Sequence, residues 1–190
     1  RLPTLLRDET RLVALTQCSN VTGAFTDVAA VVDAARRVGA RVLLDGAQAV
    51  QHGPQDVRGL GVDFYAFSGH KCFGPGGVGV LWARGEVLRE LPPFHGGGGM
   101  VGEVNLDSFT WAEVPRRFEA GTPPIAQAVG LAAALDWMMT LDWPRLRQRE
   151  TELCAQLLDG LRDIPGLRLL GATGADGRAP IVSFEIAELH

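Results

Sequence analysis

Lysine is all but missing from this chain: of its 18 basic residues one is a lysine, Lys71, which leaves 17 arginines. The bias suggests a GC-rich bacterial genome, a matter of codons and not of mechanism. Cysteine is scarce too. The three present, Cys18, Cys72 and Cys154, are odd in number and far apart, with no Cys-x-x-Cys pair, and the four histidines (His52, His70, His95, His190) have no metal-ligand spacing near them. A disulfide framework and a zinc site are disfavoured, and a reducing cytoplasm without a structural metal is the expectation. No apolar run is long enough to span a bilayer, and nothing at the start reads as a signal peptide. The longest such run, Ile125 to Met139, is interrupted by Gln127 and Asp136 and is expected to form a buried helix. Basic charge is not in excess: the net charge is −4 and the arginines are scattered, so no basic face exists for nucleic acid.

What is present suffices for a core. With 190 residues, 46% of them hydrophobic and 21% charged, the chain can bury the interior of one domain, or of one and part of another. The single lysine ends the stretch Asp63-Phe64-Tyr65-Ala66-Phe67-Ser68-Gly69-His70-Lys71. Alternation from Val62 to Phe67 predicts a strand delivering a polar tetrapeptide to its carboxyl end, the edge where open α/β sheets bind ligands. A lysine there can be desolvated and condense with a carbonyl cofactor; a lone lysine is otherwise a solvated surface group.

Its neighbours favour the first reading. Arg41-Val42-Leu43-Leu44-Asp45-Gly46-Ala47-Gln48 reads as a short buried strand ending in a carboxylate and an amide. A lysine together with an aspartate for a pyridinium nitrogen is the protein's part in pyridoxal 5'-phosphate (PLP) chemistry. Gln48 is placed to hydrogen-bond the ring's phenolic oxygen, and Ser68 and His70 to hold the phosphate.

At these residues the sequence resembles the cysteine desulfurases that serve iron–sulfur cluster assembly and their selenocysteine lyase relatives, within the class V aminotransferase-like enzymes of PLP fold type I. The matching stretches are Ser19-Asn20-Val21-Thr22-Gly23, Leu44-Asp45-Gly46-Ala47-Gln48-Ala49, the segment from Asp63 to Lys71, and Arg117-Phe118-Glu119-Ala120-Gly121-Thr122-Pro123. The resemblance runs from about Leu12 to the last residue. It implies an α/β fold: the mostly parallel sheet of a large domain with helices on both faces, followed by the start of an α+β small domain. It further implies a homodimer, L-cysteine as substrate, PLP on Lys71 and a sulfur-acceptor protein as partner. Asn20 is implied to lie over the cofactor near the substrate carboxylate, although locally it also reads as a turn residue. Thr122 is implied to reach the phosphate of the partner subunit's cofactor, although locally it also reads as a plain helix cap. The family commonly has histidine where Gln17 stands and an apolar residue where Cys18 stands, so Cys18 is read as a small core residue.

Along the chain, Leu12–Leu15 reads as a buried strand. A helix follows, capped by Thr26 or Asp27, with Val28, Val31, Val32 and Ala35 on one face and Gly39 as its stop. The strand at Val42–Leu44 completes a βαβ unit. Gly74-Pro75-Gly76-Gly77-Val78-Gly79 matches G-x-G-x-x-G, but Val78 to Trp82 continues as a strand where a dinucleotide site needs a helix; hydride chemistry is rejected. Arg84 to Leu91 reads as a short helix, Asn105 to Pro115 as a hairpin or arm, and Pro123-Pro124 as the opening of the helix from Ile125. Asp142-Trp143-Pro144 divides the large-domain part, residues 1–142, from the start of the small domain, residues 143–190. In the second part Leu146, Leu153, Leu157 and Leu161 recur at helical spacing, and Leu167–Leu170 and Ile181–Ile186 read as strands around a glycine-rich turn. The family's ring-stacking histidine, a phosphate-binding threonine, the nucleophilic cysteine loop and a carboxylate-binding arginine do not map onto residues 1–190. The stretch is therefore expected to be the middle of a longer enzyme. The alternative readings are a selenocysteine lyase or another class V aminotransferase-like PLP enzyme, and a non-catalytic truncated product that only dimerises or binds a partner.

Overall fold

A computed structural model describes residues 2–187; His190 lies outside them. After a short helix α1 (Leu2–Leu5), a βαβ unit is built from β1 (Leu12–Thr16), α2 (Val28–Arg37) and β2 (Arg41–Asp45), and β3 (Phe64–Ser68) and β4 (Gly79–Ala83) extend the sheet. The order is β1-β2-β3-β4. The first three strands are parallel and β4 returns antiparallel to β3. The glycine-rich segment before β4 thus leads into a strand and not into the helix that a dinucleotide site needs.

The βαβ unit forms for reasons visible in its residues. Asp27 is the helix cap, its Oδ1 accepting from Ala30 N–H at 3.1 Å. Val28, Val31, Val32 and Ala35 are all buried and meet Val42, Leu44, Val62 and Tyr65 on one face of the sheet. On the opposite face Leu43, Phe64 and Ala83 pack with Val87 and Leu88 of α3 (Gly85–Glu90). Strands covered on both sides bury consecutive residues, and Phe64 and Tyr65 are both buried.

Beyond the sheet, β5 (Val101–Val104) and β6 (Phe109–Trp111) form the expected hairpin, which begins four residues before Asn105. Helix α4 (Ile125–Met138) departs from expectation. Only Leu131 and Met138 are buried, while Ile125, Val129 and Trp137 lie on the surface. The reason is that the described elements cover one side of α4 only.

Helix α5 (Trp143–Arg162) is capped by Asp142 through Arg145 N–H and carries Pro144 in its first turn. Its seating face is not the leucine stripe. Trp143, Cys154 and Leu158 are buried, whereas Leu146, Leu153 and Leu157 are exposed. Two polar contacts lie on the seating side: Glu150 Oε1 at 3.0 Å from His52 Nδ1, and Arg147 Nε donating to His52 O at 3.3 Å. The strands β7 (Leu167–Leu170) and β8 (Ser183–Ile186) pair antiparallel after it. No helix among the described residues is long and apolar enough to cross a membrane.

Candidate active site

Register aligns Thr16 with Asp45 and Asp45 with Ala66, so the carboxyl ends of β1, β2 and β3 share one edge. Asp45 ends β2 with its carboxylate exposed. Its Oδ1 accepts from Ala47 N–H at 2.9 Å, and Oδ2 has no partner among the described residues. The chain then coils tightly: Ala49 N–H and Val50 N–H both donate to Gly46 O, at 2.9 and 3.0 Å. That turn carries Gln48 back across the edge.

Lys71 meets it there. Gly69–Lys71 is one 3₁₀ turn directly after β3. Gly69 N–H donates to Val78 O at 2.9 Å, and Gly69 O accepts from Cys72 N–H and Gly74 N–H, each at 3.0 Å. With its backbone held in this way, half-buried Lys71 directs Nζ to Gln48 Oε1 at 3.5 Å. Ser68 is half-buried and His70 exposed, and neither side chain makes a hydrogen bond among the described residues. Both are therefore available to an external group.

A polar chain that is buried at Tyr65 and Gln17 and half-buried at Gln55 supports this edge from beneath. Tyr65 Oη donates to Gln17 Oε1 at 2.8 Å, Gln17 Nε2 donates to Gln55 Oε1 at 2.8 Å, and Gln55 Nε2 donates to Gly53 O at 2.9 Å. Tyr65 fills the space above Gly46, where an added Cβ would lie 1.9 Å from its hydroxyl oxygen. Burial, with a smaller push from the Asp45 charge, drives the Tyr65 pKa well above the ordinary phenol value. The hydroxyl is thus a fixed donor at neutral pH.

Asn20 lies at the tip of the loop after β1. The turn there is made without it: Ser19 Oγ accepts from Val21 N–H (3.2 Å) and Thr22 N–H (3.1 Å), and Gly23 N–H donates to Ser19 O (3.0 Å). The Asn20 amide is exposed and uncommitted. Thr122 is exposed on the approach to α4 and is not its cap; that position belongs to Pro124, with no side-chain hydrogen bond. No hydrogen bond joins Thr122 to the Lys71 edge among the described residues.

The three cysteines are free and buried. Burial pushes the thiol pKa up at Cys18 and at Cys72, which at Cys72 is only partly opposed by a backbone hydrogen bond from Gly74. Both stay protonated at neutral pH and pack as small apolar groups. What remains is an amine, a carboxylate, an amide and two uncommitted donors on one strand edge.

The whole chain, residues 1–190, matches the family model described as aminotransferase class-V. The chain belongs to that family. A relative from Streptomyces coelicolor, described as a probable cysteine desulfurase, is 43% identical over 186 residues, covering 98% of this chain and 44% of the relative. The crystal structure of the cysteine desulfurase CsdA from Escherichia coli superposes with a TM-score of 0.92 at 41% identity, over 100% of this chain and 46% of that one. A variant of C-DES, with glycine covalently linked to its PLP cofactor, superposes with a TM-score of 0.83 at 34% identity, over 98% of this chain and 50% of that one. This class-V chain therefore spans about half the length of the relatives it matches, and its α/β fold is theirs.

Two supporting features escaped the sequence reading. Tyr65 is the sole tyrosine and falls in a buried strand, where a phenol needs a hydrogen-bond partner; that signal was present, but nothing identified Gln17 as the acceptor. Arg178, nine-tenths buried, sits in a glycine-rich turn and gave no signal.

Proposed function

We propose that this chain is the cofactor-binding part of a PLP-dependent cysteine desulfurase, with residues 1–142 in its large domain and 143–190 opening its small domain. The observation that carries the reading is the Lys71–Gln48 contact of 3.5 Å on the strand edge that also ends in Asp45. The residues fit the cofactor: Lys71 supplies the amine that holds its carbonyl carbon, and the free Oδ2 of Asp45 supplies the counter-charge that keeps the pyridine nitrogen protonated. Gln48 accepts from Lys71 through Oε1, which leaves Nε2 to donate to the phenolic oxygen. Ser68 and His70 hold the phosphate, and Thr122 reaches the phosphate of a second copy across a homodimer.

When bound, PLP supplies a sink for the electron pair left at the substrate α-carbon. With substrate in place, Lys71 Nζ would receive the α-proton, and Asn20 would lie beside the substrate carboxylate. A cysteine thiolate of the longer protein would attack the substrate sulfur. The Cβ–S bond breaks with its electron pair left on carbon, which is protonated to give L-alanine, and the sulfur remains as an enzyme-bound persulfide for an acceptor protein. Cys18, Cys72 and Cys154 do not take that role, because all three are buried. The reading is completed by a reducing, cytoplasmic setting and a place in iron–sulfur assembly.

Borohydride reduction of the PLP-loaded, full-length protein followed by peptide mapping tests this reading. The pyridoxyl group is expected on Lys71. Recovery only on the N-terminal amine would refute it.

A further inference from the structure

The loop that carries Asn20 is held from a part of the chain about 160 residues away. Three consecutive carbonyls of this loop accept hydrogen bonds from one short segment. Val21 O accepts from Ser183 Oγ at 2.6 Å, Thr22 O from Arg178 Nη2 at 2.7 Å, and Gly23 O from Ala179 N–H at 2.9 Å. The approach is close enough to need glycine: at Gly23, with φ of 71°, an added Cβ would lie 2.5 Å from Ala179 O. The loop has little packing of its own, since Val21 is half exposed.

Arg178 is the centre of this clamp. Its Nη1 donates to Ala172 O, and its Nη2 donates to Ile181 O as well as to Thr22 O. One planar guanidinium thus joins the Asn20 loop, the glycine-rich turn and the approach to β8. No carboxylate pairs with it among the described residues, and its Nε has no partner there. A buried cation solvated only by carbonyls is costly to keep, which sets Arg178 apart from the other arginines among the described residues, all of them more exposed. Beside it, Ala179 packs with Cys18 and with Ala49, the residue after Gln48.

We infer that Arg178 is a positioning residue for the substrate side of the site: it acts through Thr22 O to hold Asn20 over the Lys71 edge. The inference rests on the proposed role of Asn20 at the substrate carboxylate. It adds that the segment after β7, far in sequence from the cofactor residues, sets amino-acid affinity without touching the amino acid.

The test uses the full-length, PLP-loaded protein and compares Asn20→Ala, Arg178→Ala, Arg178→Lys and the double alanine variant. Binding of the unreactive product L-alanine is followed by its change in the cofactor spectrum, alongside KM for L-cysteine. Arg178→Ala is expected to weaken L-alanine binding and raise KM by roughly tenfold, the scale of one charged hydrogen bond, with PLP content and the resting spectrum unchanged. The double variant should be no weaker than Asn20→Ala, because both changes act through one contact. Arg178→Lys, which keeps charge but not the planar fork, should fall between wild type and Arg178→Ala. Added guanidinium ion should restore binding to Arg178→Ala and not to Asn20→Ala. If Arg178→Ala fails to fold, Arg178→Lys carries the same comparison. Wild-type affinity in the Arg178 variants, or losses that multiply in the double variant, would overturn the inference while leaving Lys71 labelling intact. Wild-type affinity in Asn20→Ala would overturn it together with the assigned role of Asn20. Failure of the PLP reading itself would show instead as absence of pyridoxyl on Lys71.

Discussion

Tyr65 shows how a single residue holds the site from behind. Its ring occupies the space that Gly46 leaves open, and its hydroxyl starts the amide chain through Gln17 and Gln55. Replacing it by Phe keeps the ring and strands a buried Gln17 oxygen, at a cost of about 1–3 kcal/mol. Tyr65→Phe should therefore lower stability in denaturant by that amount at neutral pH, with Gln17 itself intact. The pH dependence has a definite sign. The folded pKa lies above the ordinary value of 10.0, mainly through burial. The stabilisation is complete below about pH 10, where the unfolded phenol is also neutral, and is lost as pH rises from there through the folded value. Wild type should lose stability across that alkaline window, and Tyr65→Phe should lack this component. An identical alkaline decline in both proteins would show that Tyr65 is not its source.

At the level of elements, the site depends on β2 sitting between two parallel neighbours. Leu44 is fully buried, one residue before Asp45, under the apolar face of α2. Leu44→Ala leaves a cavity in a packed interior, a cost of about 2–5 kcal/mol. Because the cavity lies directly beneath the strand end, the turn bearing Asp45 and Gln48 loses its support too. The expected result in the full-length protein is a lower unfolding midpoint together with weaker PLP uptake. The same truncation at exposed Leu157 of α5 serves as the control. Equal uptake by wild type and Leu44→Ala would mean that the strand end holds its geometry without the core beneath it.

For the whole molecule, the apolar residues left on the surface carry the argument. Ile125 and Val129 on α4, Leu153 and Leu157 on α5, and Leu81 on β4 are all exposed, in a chain spanning about half the length of its relatives. In the proposed reading the Lys71 edge supplies one wall of the cofactor site. Ordering loops around a ligand on one wall costs roughly 1–2 kcal/mol per residue in backbone entropy, with few contacts to offset it. The 190-residue chain by itself is therefore expected to release no alanine or sulfide from L-cysteine above a Lys71→Ala blank, even with excess PLP. Activity above that blank would assign the sulfur chemistry to Cys18, Cys72 or free PLP.

The sequence by itself determined the βαβ unit, the lysine strand and the turn into β4. It also determined that Asp45, Gln48 and Lys71 belong to one edge. The elements follow from local rules: a period-two or buried apolar run, a helix cap at Thr26 or Asp27, and glycines where the chain must turn before β4. The grouping of Asp45, Gln48 and Lys71 rests also on PLP chemistry and on the family resemblance of their motifs. The hairpin was legible in kind, but its start at Val101 was not, because a small residue such as Gly102 carries little strand signal. Only the tertiary structure decided the rest. Helical spacing marks Leu146, Leu153 and Leu157 as one face of α5, yet the seated face is that of Trp143, Cys154 and Leu158. Spacing tells which residues share a face and not which face finds a partner. Thr122 lost its cap reading because Pro124 holds that position. Arg178 binds Thr22 O across 156 residues, and such a bond to a backbone carbonyl leaves no pattern in side-chain sequence. It forms because the folded chain brings a donor and otherwise unsatisfied acceptors into one buried place.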